Sequence, residues 1–165
     1  MKKNQQWTAL QRAVFFSGIV SAAKLLGEHP EAYRRRIMKE ELGIDHLSGA
    51  TKTTGFDRLM QRVWVDRGDY ARALDYSGGD VKRLRYLAMS AAMTIVGSDE
   101  TAACRYVAGI FSQMKLVQMA ADTLAMKLQR ADGWDDFTEM QIKKVISALH
   151  IQMTRAARKA SCSVV

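Results

Sequence analysis

The sequence predicts an all-α fold, and three observations carry that reading. Apolar residues between Ser98 and Ala131 recur on a heptad: Val107, Met114, Ala121 and Leu128 fall every seven residues, with Ile110, Val117 and Leu124 interleaved. No stretch of useful length alternates apolar and polar residues with a period of two, the pattern of a half-buried strand. A single proline, ten methionines and frequent alanines suit helices.

About six helices are expected. Trp7 to Leu26 forms the first. Trp7, Leu10, Val14 and Phe15, continued by Gly18, Ser21, Ala22 and Leu25, give it an apolar stripe, and Gly27 is a natural stop. Pro30 suits the first turn of a second helix, with Glu31 near its positive end. Tyr33, Ile37, Met38 and Leu42 form its apolar face, and Gly43 ends it. Residues 44–54 read as a loop. A third helix runs from Gly55 to Arg67 on Phe56, Leu59, Met60 and Val63, and Gly68 closes it. Tyr70, Ala73 and Leu74 suit a short helix that Ser77-Gly78-Gly79 breaks. Asp80 caps a fourth helix to Val96, with Val81, Leu84, Ala88, Ala91 and Ile95 inward.

The fifth helix spans 98–131. At 1.5 Å per residue it would be about 50 Å long, and it is expected to serve as the spine of a bundle. Thr138-Glu139-Met140-Gln141 matches a capping box, in which Thr138 and Gln141 satisfy free backbone N–H groups reciprocally. It opens a last helix over 138–160, carrying Ile142, Val145, Ile146, Leu149, Met153 and Ala156, and folded back on the long one. Ser161 to Val165 is expected to fray. The domain expectation is one helical domain over 1–165, with sub-halves 1–76 and 80–165 on either side of the glycine breaker.

Hydrophobic residues make up 48% and charged residues 25%, the balance of an ordinary globular protein. Nothing approaches 18 consecutive apolar residues, so neither a membrane span nor a membrane partner is expected. Asn4, Gln5 and Gln6 follow the two N-terminal lysines, and Gln11 and Arg12 interrupt the apolar run beyond, unlike a secretory signal. Cys104 and Cys162 sit in a helix and a tail, so no disulfide and a reducing cytoplasm are expected.

A search for chemistry finds little. His29, His46 and His150 are scattered, and no HExxH, CxxC or mixed cluster is present, so no metal and no cofactor are expected. Cys104 reads as packing. The adjacent Asp135 and Asp136 diverge and suit a polar helix entry better than an acid–base pair. Ser77-Gly78-Gly79-Asp80 lacks the preceding strand and the lysine of a phosphate loop. Catalysis is therefore not expected.

Positive charge is the stronger signal. The formal net charge is +8 and the isoelectric point about 9.7, a balance that favours nucleic acid as partner. Arg34-Arg35-Arg36 fans around the second helix, where Arg35 and Arg36 each share a face with Lys39. Arg58 and Arg62 line the third. The last carries Lys143, Lys144, Arg155, Arg158 and Lys159, with no acid after Glu139. Arg35, Arg36, Lys39, Arg58, Arg62 and the five on the last helix are the ten candidate phosphate contacts. A loose helix-turn-helix can be drawn from 30–43 and 54–67, with Arg58, Gln61 and Arg62 outward, although the connection is longer than usual.

Two segments resemble the phage Mu GemA family, small regulatory proteins of Mu-like phages and prophages. Ala22-Ala23-Lys24-Leu25-Leu26-Gly27, then Glu31-Ala32-Tyr33-Arg34 and Ile37-Met38, is similar to that family's N-terminal pattern. Phe137-Thr138-Glu139-Met140-Gln141, then Val145-Ile146-Ser147-Ala148-Leu149, resembles its Leu-Thr-x-x-Gln…Val-Ile-Glu-x-Leu ending. Ser147 stands where the family usually has an acid, Ile151 or Gln152 replaces a common tryptophan, and residues 69–115 are not aligned with the family's pattern. The resemblance implies a non-enzymatic early protein that modulates host gene expression and DNA topology, with gyrase as one partner to consider. It brings no catalytic residues. Two other classes fit the same charge and helices. One is a helical backbone-binding subunit of a nucleoprotein complex, like the small subunits of CRISPR effectors. The other is a protein-binding adaptor that dimerises through the heptad seam.

Overall fold

The computed structural model describes residues 7–46 and 53–162. Among them every regular element is helical: α1 Ala9–Leu26, α2 Pro30–Leu42, α3 Thr53–Asp66, α4 Tyr70–Asp75, α5 Val81–Val96, α6 Glu100–Gln113, α7 Ala121–Leu128 and α8 Glu139–Cys162, with a 3-10 turn at Ala131–Trp134. The all-α expectation holds, with eight α-helices among the described residues where about six were expected. Most of the loop expected over 44–54 lies outside the described residues, and Thr53 already belongs to α3. The last helix continues to Cys162, through the point where fraying was expected; residues 163–165 lie outside the described residues.

The chain divides into two compact units, Met1–Gly78 and Gly79–Val165, at the glycine breaker. In the first, α3 packs against α1, α2 and α4. Thr8 and Gln11 close a reciprocal capping box at the start of α1 (3.1 and 2.9 Å), and Gly27 ends it in the left-handed region at φ 69°. The stripe read for α1 is corrected here. Phe15, Gly18, Ile19, Ala22 and Ala23 are buried, whereas Leu10, Val14 and Leu25 are exposed. The helix is apolar on every side, so its periodicity cannot choose a face. Close approach chooses instead: a Cβ on Gly18 would meet Val63 Cγ1 at 3.0 Å, so only a residue this small lets α3 come so near. Trp7 closes the end of this core, edge-on to Phe15 and Phe56 with 5.2 Å between centroids in each case.

In the second unit the organising element is α5. Leu84, Leu87, Ala88, Met89, Ala91 and Ala92 are buried around more than half of its circumference, so it packs on α6 with one flank and on α8 with another. The expected spine over 98–131 is therefore corrected: it is a hairpin of two helices, and α8 lies mainly on α5 and touches α6 only in part. The break is a Schellman stop. Leu116 N–H bonds the Phe111 carbonyl (3.0 Å), and Lys115 N–H bonds that of Ser112 (3.0 Å). Lys115 takes the left-handed position at φ 52°, where glycine is usual. The Gln141 side-chain amide donates to the Leu116 carbonyl (2.8 Å) and holds the turn in place. In the supposed seam Val107, Ile110, Leu124 and Leu128 are buried, but Met114 and Ala121 are exposed. Folding back lets α7 cover α6, which a straight rod could not do.

Lys115→Gly is expected to stabilise the protein by about 0.5–1 kcal/mol. It removes a left-handed cost of about 1–2 kcal/mol and adds back part of it as glycine's chain entropy. A melting temperature that falls instead would contradict the geometry of this turn.

Candidate nucleic-acid interface

The last helix starts at the expected box: Thr138 N–H bonds Gln141 Oε1 (2.8 Å) and Gln141 N–H bonds Thr138 Oγ1 (3.3 Å). Ile142, Val145, Ile146 and Leu149 are buried, and no residue from His150 to Ser161 is. The Tyr106 hydroxyl donates to Gln152 Oε1 and tethers α8 to α6 near this point. From Thr154 to Ser161 every side chain is exposed, so the final turns stand clear of the core. At 100° per residue, Lys144, Ile151, Arg155 and Arg158 fall within a narrow arc opposite the buried face. Lys144 to Arg158 covers about 21 Å along the axis.

Charge is distributed unevenly along this helix. Lys143 is half-buried and pairs with Glu139. Lys144, Arg155 and Arg158 are exposed and make no ion pair with any described residue. Lys159 is exposed beside them. No acid follows Glu139 in the sequence, and on the outer face of α8 Lys144, Arg155 and Arg158 form a stripe of positive charge with no ion pair to a described residue.

The candidates on α2 and α3 stand differently. Glu31 accepts two bonds from Arg34 (2.8 and 2.6 Å) and one from Arg35 (2.9 Å). Arg36 pairs with Glu28 (2.7 Å) and Glu40 (3.5 Å), and Arg58 with Glu41 (3.8 Å). Arg62 bonds Asp66 (2.9 Å), Glu40 (3.1 Å) and Glu41 (3.5 Å). Asp66 also accepts from the Tyr33 hydroxyl (2.9 Å). Burial first, and the Asp66 carboxylate next, push the Tyr33 phenol upward, so it stays a neutral donor. Among these residues Lys39 alone is exposed without an ion pair to a described residue. The loose helix-turn-helix is corrected as well. Gln61 is buried and Arg62 is turned into the carboxylates between α2 and α3, so α3 does not present the expected row of base-reading side chains.

Glu31 supplies a pH test of this network. Hydrogen bonds from Arg34 first, and from Arg35, lower its carboxyl to about 2 from an ordinary 4.5. A depressed folded pKa means that the pairing stabilises α2 above the ordinary value and is lost as pH falls toward 2. Carboxyl NMR titration should find Glu31 still ionised at pH 3.5. A midpoint near 4.5 would mean that the arginines do not hold it.

Other potential centres carry no converging chemistry. Cys104 is buried with its Sγ 3.9 Å from Met89 Sδ, and burial raises its thiol. His29 caps α2, accepting from Glu31 N–H through Nδ1 (3.3 Å). Asp136 pairs with Lys127. An open groove of about 420 Å3 runs along α7, lined by Met119, Thr123, Met126, Lys127 and Arg130. No three His, Cys, Asp or Glu side chains among the described residues are grouped to hold a metal ion. Comparison with protein-family models, curated proteins and solved structures returns no significant match.

Proposed function

We propose that the chain is a non-enzymatic, cytoplasmic regulatory protein of phage or prophage type. It acts on host gene expression or DNA topology through DNA, or through a DNA-bound host protein such as gyrase. One observation carries the reading: α8 ends in turns that stand clear of the core, with Lys144, Arg155 and Arg158 exposed on one face and paired with no described residue. A helix about 10–12 Å across fits a major groove about 12 Å wide. A net charge of +8 draws the chain to a polyanion before any contact forms. The GemA-like segment over 134–155 includes the root of this helix, and the one over 22–38 supports the same phage origin. The ion-paired arginines of α2 and α3 then serve the fold, and α8 is the primary contact.

Electrophoretic mobility shifts on duplex DNA test this across a salt series. Affinity should fall linearly on logarithmic axes with a slope of about −0.9 for each phosphate neutralised. Failure to shift at roughly 50 mM salt, or binding indifferent to salt, would remove the direct-DNA version. The runner-up, a backbone-holding subunit of a nucleoprotein complex, is favoured by one feature. The stripe combines cationic side chains with Ala148 and Ile151 and has no aromatic to stack on a base. Equal affinity for single-stranded RNA and duplex DNA would select that reading.

A further inference from the structure

Trp64 stands near the end of α3, and two arginines share its indole. The Arg67 guanidinium lies 4.2 Å from the ring centroid and that of Arg72 4.7 Å, so one aromatic side chain carries two positive charges. The turn between the helices puts them there. Asp69 N–H bonds the Trp64 carbonyl (2.9 Å) and Gly68 N–H that of Val65 (2.8 Å), with Gly68 left-handed at φ 72°. This Schellman stop folds α4 against α3, and Arg72, near the start of α4, meets the same indole as Arg67.

Acceptors are scarce around the pair. Arg67 makes no ion pair with a described residue. Arg72 meets Asp69 Oδ2 only at 3.6 Å, and Oδ1 of the same carboxylate caps α4 by accepting from Arg72 N–H (3.1 Å). Donors are in excess. Trp64 is 8% exposed, and Gln61, one turn earlier on α3, is 4% exposed. Neither the indole N–H nor the Gln61 side-chain amide nitrogen has a partner among the described residues. Buried donors in a native fold are normally satisfied, so this corner is short of an acceptor.

We propose that Arg67 and Arg72, held on Trp64, form a binding site for a phosphate group. Stacking fixes each planar fork and leaves its N–H groups free to donate, so little side-chain freedom is lost when an anion binds. A carboxylate offers two oxygens and one charge. A phosphate offers more of both and suits two forks together. The site lies in the Met1–Gly78 unit and uses no residue of α8, so its test is separate from that of the DNA contact there.

The test is an NMR titration of the full chain with inorganic phosphate at neutral pH and constant ionic strength, with acetate as the control anion. It follows the Trp64 indole N–H, assigned through Trp64→Phe, and the Nε–H signals of Arg67 and Arg72. These signals should shift to saturation with phosphate and not with acetate. Arg67→Ala should weaken phosphate binding about tenfold or more. Arg67→Lys with Arg72→Lys keeps both charges but loses the stacked forks, and should weaken it comparably. Both side chains are at least partly exposed, and circular dichroism checks that the helices remain. Shifts that never saturate, an equal response to acetate, or a lysine variant that binds as tightly as the native chain overturns the proposal, because each means diffuse attraction of anions. A duplex oligonucleotide added to a Lys144→Ala, Arg155→Ala, Arg158→Ala variant names the source of the phosphate. Movement of the same signals at micromolar duplex supports the site as a contact for the DNA backbone. Movement with inorganic phosphate alone supports it as a site for a free phosphate.

Discussion

Replacing Trp134 by alanine is expected to cost about 3–5 kcal/mol, a large part of the stability of any domain this size. Trp134 is fully buried, and its indole N–H donates to the Leu128 carbonyl (2.9 Å), one of the acceptors left open at the end of α7. The residue before it has no room for a side chain: a Cβ on Gly133 would run into the Lys127 carbonyl. Around the same turn Lys127 pairs with Asp136 and lies over the Phe137 ring, which packs 4.8 Å from Phe111. The turn thus wedges between the end of α7 and α6, and deleting the indole leaves both a cavity and an orphaned carbonyl. Trp134→Phe should keep most of the packing and lose the hydrogen bond, at about 1–3 kcal/mol. Gly133→Ala should be at least as damaging as Trp134→Phe, because the backbone must move. Urea unfolding followed by circular dichroism measures all three. A Trp134→Ala midpoint equal to the native one would show that the turn does not hold the Gly79–Val165 unit together.

This turn also marks where the sequence stopped being legible. Helix ends were readable because capping chemistry is local. Thr8 with Gln11, Gly27, Gly43, Asp69, Asp80 and Thr138 with Gln141 cap helices within a residue or two of the expected ends. The break at Met114–Ala120 was not readable. It contains no glycine or proline, its left-handed residue is a lysine, and its anchor, Gln141, is 25 residues from Leu116. A heptad pattern also survives folding into a hairpin, since each half keeps its own apolar stripe. The face of α1 was lost for the opposite reason: an excess of apolar residues leaves helical phase undefined until Gly18 meets Val63. The site was legible in composition and illegible in pairing. Nothing local tells that Arg62 lies among Glu40, Glu41 and Asp66, while Arg155 and Arg158 pair with no acid among the described residues.

That difference in pairing sets the largest expected effect on binding. Changing Lys144, Arg155 and Arg158 together to alanine should lower the salt slope by about 2.7, if each neutralises one duplex phosphate. The same three contacts account for about a fortyfold loss of affinity between roughly 50 and 200 mM salt, a loss the triple variant should no longer show. Helical content should be unchanged, since these side chains are exposed and outside the ion-pair network. The reverse outcome is expected for Arg36→Ala with Arg62→Ala. Their guanidiniums are partly buried among carboxylates, so removing them should destabilise by about 1–2 kcal/mol and leave the salt slope as it was. Should the arginines of α2 and α3 carry the slope instead, the bridges to Glu28, Glu40 and Asp66 must open when DNA binds. The interface would then belong to the Met1–Gly78 unit, and α8 would be a bystander.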